Sequence, residues 1–161
     1  MDAAPDVVPS IVIGGLVVRL ICAALAGGVI GWNRHRAGKP AGIGTHALVG
    51  LGAGLFVAIP AGAGPDHVDA LSRTIQGVAA GIGFLGAGEI FRDPGAHARV
   101  TGLTSAAALW VTAALGITIV SGPVLQSTAI AALVVAILEL APRIEKRFPA
   151  RSANDAQEPR T

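Results

Sequence analysis

Charged side chains, aromatic rings and cysteine are all scarce in this sequence of 161 residues. Charged residues account for 14% and hydrophobic residues for 52%, whereas about a quarter of an average soluble domain is charged. The hydrophobic excess excludes a disordered chain, and the scarcity of charge excludes a soluble domain with a polar surface. Aromatic residues make up only 4%, so we expect no nucleic-acid-binding surface despite the net charge of +2.

Sequence motifs typical of enzyme active sites are also missing. The one cysteine, Cys22, lies in an apolar run, which excludes a disulfide framework and a multi-cysteine metal site. No G-x-x-x-x-G-K-[ST] loop, H-E-x-x-H pair or G-x-S-x-G elbow occurs. Residues 81–86 match the dinucleotide motif G-x-G-x-x-G, but no strand precedes them, so helix packing is the favoured interpretation. We therefore predict no enzymatic activity, no cofactor and no metal.

What the sequence does contain is a series of apolar windows of about 18 or more residues, the length with which an α-helix crosses ~30 Å of hydrocarbon. The polar joints between the windows hold glycine or proline, which favours helix ends there. The sequence thus predicts an all-α, polytopic membrane helix bundle of five transmembrane helices within residues 10–141. The predicted spans are Ser10–Gly31, Ile43–Pro60, Thr74–Phe91, Thr101–Ser121 and Val124–Ala141.

Loop charges give this bundle an orientation. Ten Lys and Arg residues fall in the first loop, the third loop and the segment after Pro142, whereas the N-terminal segment and the fourth loop hold none. Cytoplasmic loops are enriched in Lys and Arg, so we predict an extracytoplasmic N-terminus, residues 1–9, and a cytoplasmic disordered tail, residues 142–161. No basic residue precedes Arg19, so the first span is predicted to be retained rather than cleaved as a signal peptide.

Small residues recur at helical spacing within the predicted spans. Because lipid is as apolar as leucine, transmembrane helices associate through close packing of such residues. G-x-x-x-G spacings in three consecutive spans favour a tight bundle and self-association, although glycine is abundant throughout the chain. The glycines predicted to pack helices are Gly27, Gly31, Gly50, Gly54, Gly77, Gly81, Gly83, Gly86 and Gly88.

Arg19 is the clearest charge at membrane depth. It lies nine residues beyond Ser10, about 13 Å along the helix, where an arginine costs about 2.5–3.5 kcal/mol on the insertion scale. Helical side chains lean toward the N-terminus, so we expect its guanidinium to point outward, toward Asp66, Asp69 or Gln76. Two roles for Arg19 remain open. It could be an anchor that fixes helix packing, or it could recognise a partner or ligand.

Two carboxylates near the predicted cytoplasmic ends have basic residues at same-face spacing. Glu89 precedes Arg92 by three residues and Glu139 precedes Arg143 by four, so local neutralisation accounts for both. A cation path through Glu89 is the less favoured alternative. His46, near the inner end of the second span, would be a lone ligand, and a packed or hydrogen-bonded imidazole is the favoured interpretation.

The two tryptophans differ in predicted depth. Trp32 lies at the inner end of the first span, as residues of the interfacial aromatic belt do. Trp110 lies in the middle of a span, where we expect it to pack against a neighbouring helix.

Several strings resemble the MgtC/SapB family of membrane proteins. The resemblance rests on Gly81–Gly88, followed by Arg92 and by Gly102–Gly116, a segment that includes Thr104 and Trp110. Arg19, the segment Gly38–Gly42 with Thr45 and His46, and Arg73 ahead of Gln76 extend it, so that it runs from about residue 19 to residue 120.

The resemblance implies a small polytopic inner-membrane protein, in a family associated with adaptation to low magnesium, acid or the intracellular environment. The family's best-described activity is regulatory, through contact with other membrane proteins such as the ATP synthase. This chain departs from the family pattern at Asn33, usually acidic, at Gly44, usually arginine, and at Glu89, usually apolar.

The sequence supports two hypotheses about function. The leading one is a helix-bundle protein that binds membrane partners through the glycine-rich faces of spans one to three, with Arg19, Arg73 and Gln76 as a polar core. The alternative is a divalent cation (Mg²⁺) transporter or channel, which calls for carboxylates spaced through a span. The candidate polar sites are Arg19, His46, Arg73, Gln76, Glu89, Arg92, Thr104 and Trp110.

Overall fold

The computed structural model describes residues 10–60, 67–92 and 100–148, and these form five helices with one small two-stranded ribbon. The ribbon is antiparallel and pairs Phe91 with Thr101. The elements are α1 Ser10–Arg36, α2 Ile43–Ala58, α3 His67–Gly88, β1 Phe91–Arg92, β2 Val100–Thr101, α4 Leu103–Ser121 and α5 Val124–Arg147. The all-helical prediction is confirmed for the described residues.

Glycine and proline set the joints between helices. Gly38 (φ +67°) lies between α1 and α2 and Gly102 (φ +92°) directly precedes α4, both in the left-handed region that residues with a Cβ rarely adopt. A Cβ on Gly102 would also collide with the carbonyl of Glu89. Gly122 and Pro123 separate α4 from α5, and the Gly122 N–H donates to the carbonyl of Thr118 at 2.8 Å.

The helix bounds differ from the predicted spans by more than three residues at three places. Helix α1 continues to Arg36 rather than ending at Gly31, and α3 begins at His67 rather than at Thr74. Helix α5 continues through Pro142 to Arg147, into the segment predicted to be a tail. Hydropathy marks only the apolar part of a helix, whereas hydrogen bonding extends the helix into the polar residues beside it. Residues 1–9 and 149–161 lie outside the described residues.

Helices α1, α2 and α4 pack closely against one another and form the centre of the bundle. Helix α2 runs antiparallel to α1 and parallel to α4. Helix α3 lies mainly on α4, and α5 lies on α1 and α4. One buried cluster, which joins α2, α3 and α4, includes Val49, Ile82 and Leu109. Another, which joins α1 and α4, includes Ala23, Ile30, Leu115 and Ile119.

Three helices in the described part of the chain are long and apolar enough to cross a membrane. They cover Gly14–Arg36, Leu103–Ser121 and Leu125–Arg147. Helix α2 is apolar but has only 16 residues, and α3 is not among the three. Large apolar side chains cover the outside of the bundle, including Phe84 (80% exposed) and Leu125 (83% exposed). Such a surface suits contact with lipid or other proteins rather than water.

Candidate functional site

Arg19 lies at the end of the bundle where α4 ends. Its Nη1 donates to the carbonyl oxygens of Ile119 (2.9 Å), Val120 (3.1 Å) and Gly122 (2.7 Å). The last carbonyls of a helix have no hydrogen-bond partner within the helix, and they form the negative end of its dipole. A guanidinium supplies both the missing hydrogen bonds and a compensating positive charge. The described partners of the guanidinium are these carbonyls, and neither Asp69 nor Gln76, toward which it was expected to point, is among them. Asp66 lies outside the described residues.

The predicted polar core of Arg19, Arg73 and Gln76 is not brought together. Arg73 and Gln76 are exposed on α3. The side chain of Gln76 donates to Oγ of Ser72 on its own helix, at 3.3 Å. Neither residue is a hydrogen-bond partner of Arg19.

A different group of polar residues meets at the opposite end of the bundle, and we call it the Arg34 cluster: Arg34, His46, Glu89 and Ser105. These residues come from the end of α1, the first turn of α2, the residue after α3 and the first turn of α4. Arg34 is 4% exposed, Ser105 1% and His46 not at all. Nη2 of Arg34 donates to Oγ of Ser105 at 3.0 Å. The cluster therefore ties α1 to α4 within the protein interior.

Backbone packing determines where this cluster forms. Gly31 leaves no room for a side chain, since a Cβ there would lie 2.6 Å from the carbonyl oxygen of Gly42. Gly27 is packed in the same way against the carbonyl of His46. This close approach brings the last turns of α1 beside the first turn of α2. The backbone of Glu89 is packed against Gly102, which brings the end of α3 to the start of α4.

Within the Arg34 cluster, charge is partly balanced. The carboxylate of Glu89 attracts the guanidinium of Arg34 over Coulombic range. Nδ1 of His46 donates to the carbonyl of Gly42 at 3.0 Å, which fits the predicted hydrogen-bonded imidazole. The expected neutralisation of Glu89 by Arg92 stays a prediction, because the side chain of Arg92 is not described.

Sequence reasoning missed Arg34 and Ser105 as site residues. Arg34 was counted only as a loop charge, because hydropathy ends the first span before it. A signal existed in the departures at Asn33 and Gly44, which flank the cluster in the sequence. Asn33 instead donates to Oε1 of Glu139 at 3.2 Å and links α1 to α5. The predicted pair of Glu139 and Arg143 is confirmed at 3.5 Å.

The glycines of α1 and α2 that were predicted to pack helices do face other helices. A Cβ on Gly50 would lie 2.6 Å from the carbonyl oxygen of Ala23, and one on Gly54 would lie 2.8 Å from Cγ2 of Val120. Gly116 of α4 faces the backbone of Gly50 so closely that a Cβ would collide with it. These contacts hold α1, α2 and α4 at backbone distance, as small residues allow in membrane bundles.

The glycines of α3 face open space instead. Among the residues that the structure describes, a Cβ added at Gly77, Gly81, Gly83 or Gly88 would meet no atom within 4 Å, whereas one at Gly86 would lie 3.4 Å from Cβ of Ala106. Between α2 and α3 lies an open cavity of about 880 Å³, which we call the α2–α3 groove. Its lining is Thr45, Leu48, Val49, Gly52, Ala53, Phe56, Thr74, Gly77, Val78, Gly81, Ile82 and Leu85.

The remaining candidates belong neither to the Arg34 cluster nor to the lining of the groove. Trp110 is 53% exposed on α4, so it does not pack into the bundle as expected. Thr104 is exposed in the first turn of α4. Trp32 is 54% exposed at the end of α1, and its ring lies 6.4 Å from that of His35. Within residues 10–60, 67–92 and 100–148, no three His, Cys, Asp or Glu side chains are grouped to hold a metal ion.

Comparisons with a family model and with known proteins indicate the same family. Residues 20–147 match the model of the MgtC family. The chain is 53% identical to protein SrpB of Synechococcus elongatus over 117 residues, which cover 67% of this chain and 64% of SrpB. It is 43% identical to "Putative magnesium transporter YhiD" of Escherichia coli over 112 residues, 66% of this chain and 51% of YhiD.

A further relative is protein MgtC of Salmonella typhimurium, which is 38% identical over 101 residues, 63% of this chain and 41% of MgtC. The chain thus spans about half the length of the curated relatives it matches. No solved structure matches it.

Proposed function

The chain belongs to the MgtC family of membrane proteins, and from this premise we propose that it is a multi-pass protein of the bacterial inner membrane that regulates other membrane proteins by binding them. The observation that carries the proposal is the α2–α3 groove, whose glycine-lined wall has no partner among the described residues. The relatives' names connect the family with magnesium, so we place the regulation in magnesium or stress adaptation.

Within this proposal, all five helices cross the membrane, with the N-terminus outside and the C-terminus in the cytoplasm. Helix α2 runs antiparallel beside α1, since Gly27 faces His46 while Gly50 faces Ala23. A helix packed along a membrane-spanning neighbour in this way returns through the same depth of the bilayer. Lys and Arg in the first loop and in α5 support the orientation.

The predicted contact surface comprised glycine-rich faces of the first three spans, and the proposal now limits it to the face of α3 that lines the groove. Gly27, Gly31, Gly50 and Gly54 of α1 and α2 are occupied by contacts within the bundle, so these four are not available to a partner. Gly77 and Gly81 of α3 line the groove and are free. The groove is apolar, with Thr45 and Thr74 as its hydroxyl groups, so its proposed occupant is an apolar transmembrane helix of another membrane protein.

Photocrosslinking in the native membrane tests this proposal. A benzophenone amino acid at Leu48, which lines the groove and is 68% exposed, should give a specific adduct with a membrane protein. The same probe at Leu125, which is 83% exposed on α5, serves as the control. Gly81→Leu should abolish the Leu48 adduct because it fills the groove. Gly15→Leu should not, since Gly15 also has open space around it but lies on α1.

Adducts that are the same at Leu48 and Leu125, or that persist in Gly81→Leu, would contradict docking in the groove. An adduct with a second copy of this chain would assign the groove to self-association instead. A strictly monomeric chain with no adduct would remove the regulatory proposal altogether.

The second candidate, a Mg²⁺ transporter or channel, is favoured by one observation, the name of the relative YhiD. Against it, Mg²⁺ prefers several oxygen ligands, and no ligand group of three occurs in the described parts of the chain. Flux of Mg²⁺ into reconstituted liposomes that disappears in Glu89→Gln would establish transport and displace the regulatory proposal.

A further inference from the structure

Three polar atoms in the Arg34 cluster are buried and unpaired. They are Nε of Arg34, Nε2 of His46 and Oε2 of Glu89, and none has a hydrogen-bond partner among the described residues. Native proteins pair nearly all their buried polar atoms, with protein groups or with ordered water. Three unpaired atoms from three segments that meet at one end of the bundle therefore mark a ligand site.

The hydrogen-bonding capacities of these atoms specify the ligand. Nε–H of Arg34 can only donate, and the ionised carboxylate of Glu89 can only accept. The Gly42 carbonyl accepts from Nδ1 of His46, so in the neutral imidazole Nε2 is an acceptor. The site thus offers one donor and two acceptors.

Ions do not fit this set. A metal cation cannot accept from Arg34, whose positive charge also repels it. A fully deprotonated anion cannot donate to Glu89 or His46, and the Glu89 carboxylate repels any anion. A ligand that accepts once and donates twice matches all three atoms, and a buried water molecule typically makes about three such hydrogen bonds.

The charged groups of Arg34 and Glu89 are separated by a distance that a bridging molecule can span. Arg34 and Glu89 attract each other but form no ion pair within 4.0 Å. Polar groups that interact across more than a hydrogen-bond distance are commonly bridged by water. Arg34 is 4% exposed and His46 fully buried, so the bridge is enclosed by protein.

We propose that the Arg34 cluster binds a single buried water molecule, which accepts from Nε of Arg34 and donates to Oε2 of Glu89 and Nε2 of His46. The water joins the ends of α1 and α3 to the start of α2, and the Arg34 bond to Ser105 extends the network to α4. This site is separate from the α2–α3 groove, and it stands whether or not a partner docks there.

Solid-state NMR of the full chain in liposomes, with ¹⁵N-labelled histidine, tests the proposal. His46→Gln assigns the His46 signal among the four histidines. In the unaltered chain, water protons should transfer magnetisation to Nε2 of His46. The transfer should persist in Glu89→Gln, whose amide oxygen still accepts, and should be lost in Glu89→Leu, while the signals of the other histidines stay in place as the control for folding.

Absence of transfer in the unaltered chain would overturn the proposal without any variant. Transfer that is unchanged in Glu89→Leu would also overturn it, because the water would then not depend on the carboxylate. A shift of the His46 Nε2 signal on addition of Mg²⁺ or Zn²⁺ would show a metal site in place of the water site.

Discussion

Arg19 shows how a charge within a membrane helix is stabilised by backbone rather than by an opposite charge. One guanidinium nitrogen donates to three carbonyl oxygens at the end of α4. Those oxygens come from the last turn of α4 and the residue after it, so they lack partners in their own helix. Arg19 therefore links α1 to α4 at the end opposite the Arg34 cluster, which supports the anchor interpretation.

Arg19→Ala should lower the free energy of unfolding by about 1.5–3 kcal/mol, because hydrogen bonds to a charged group are lost and the carbonyls are left unpaired. Arg19→Lys should lose less, since an ammonium still reaches some of the carbonyls. Unfolding in mixed detergent micelles measures both. The control is Arg143→Ala, which breaks only an exposed ion pair and should change stability by less than about 1 kcal/mol. Equal stability of Arg19→Ala and Arg143→Ala would refute the anchor.

At the scale of helices, glycine has two different uses in this chain. Gly50 and Gly116 let α2 and α4 approach until backbone meets backbone, whereas Gly77 and Gly81 line an open groove. Identical spacing in the sequence thus corresponds to different environments. The difference arises because α2 lies between α1 and α4, whereas α3 makes only slight contact with α2.

Gly116→Ala and Gly81→Ala should therefore have opposite effects in detergent. The added methyl at position 116 collides with the backbone of Gly50, which should cost about 1–3 kcal/mol of stability. The methyl at position 81 meets no atom within 4 Å, so alanine's better helix propensity should stabilise the chain by about 0.5–1 kcal/mol. Comparing the thermal unfolding midpoints of the two variants measures this. Destabilisation by Gly81→Ala equal to that by Gly116→Ala would mean that α3 packs more tightly than described.

At the scale of the whole molecule, the bundle has two polar ends. Arg19 and the end of α4 form one, and the Arg34 cluster lies toward the other. Large apolar side chains are exposed along the helices between them. This arrangement fits a bilayer, where backbone groups must be satisfied internally and the outer surface must be apolar.

The proposed orientation predicts which end faces the cytoplasm. Replacing Cys22, the only cysteine, by alanine gives a background in which single cysteines can be labelled. A cysteine at Ser121, the last residue of the predicted fourth span, should react with a membrane-impermeant maleimide in intact spheroplasts. A cysteine at Lys39 should react only after the membrane is permeabilised. Reaction at both positions, or at Lys39 alone, in intact spheroplasts would overturn the topology.

Much of the fold followed from the pattern of apolar runs and of glycine and proline. The predicted joints that contain Gly38 and Gly122 lie between helices in the structure, whereas Gly102, which was placed inside the predicted fourth span, directly precedes α4. Helix ends were less accurate, since Arg36, His67 and Arg147 extend helices into polar sequence that hydropathy does not mark. The candidate site was found only partly, because His46 and Glu89 were named while Arg34 and Ser105 were not.

The sequence by itself determined that this chain forms apolar helices, where they break and to which family the chain belongs. These properties depend on local hydropathy, on backbone conformations open only to glycine, and on short strings of residues. Only the tertiary structure decided that Arg19 binds carbonyls rather than carboxylates, that Arg34 meets His46 and Glu89, and that the glycines of α3 remain uncovered. Such contacts depend on how each helix is rotated and shifted against its neighbours, and that is fixed by the close packing of α1, α2 and α4.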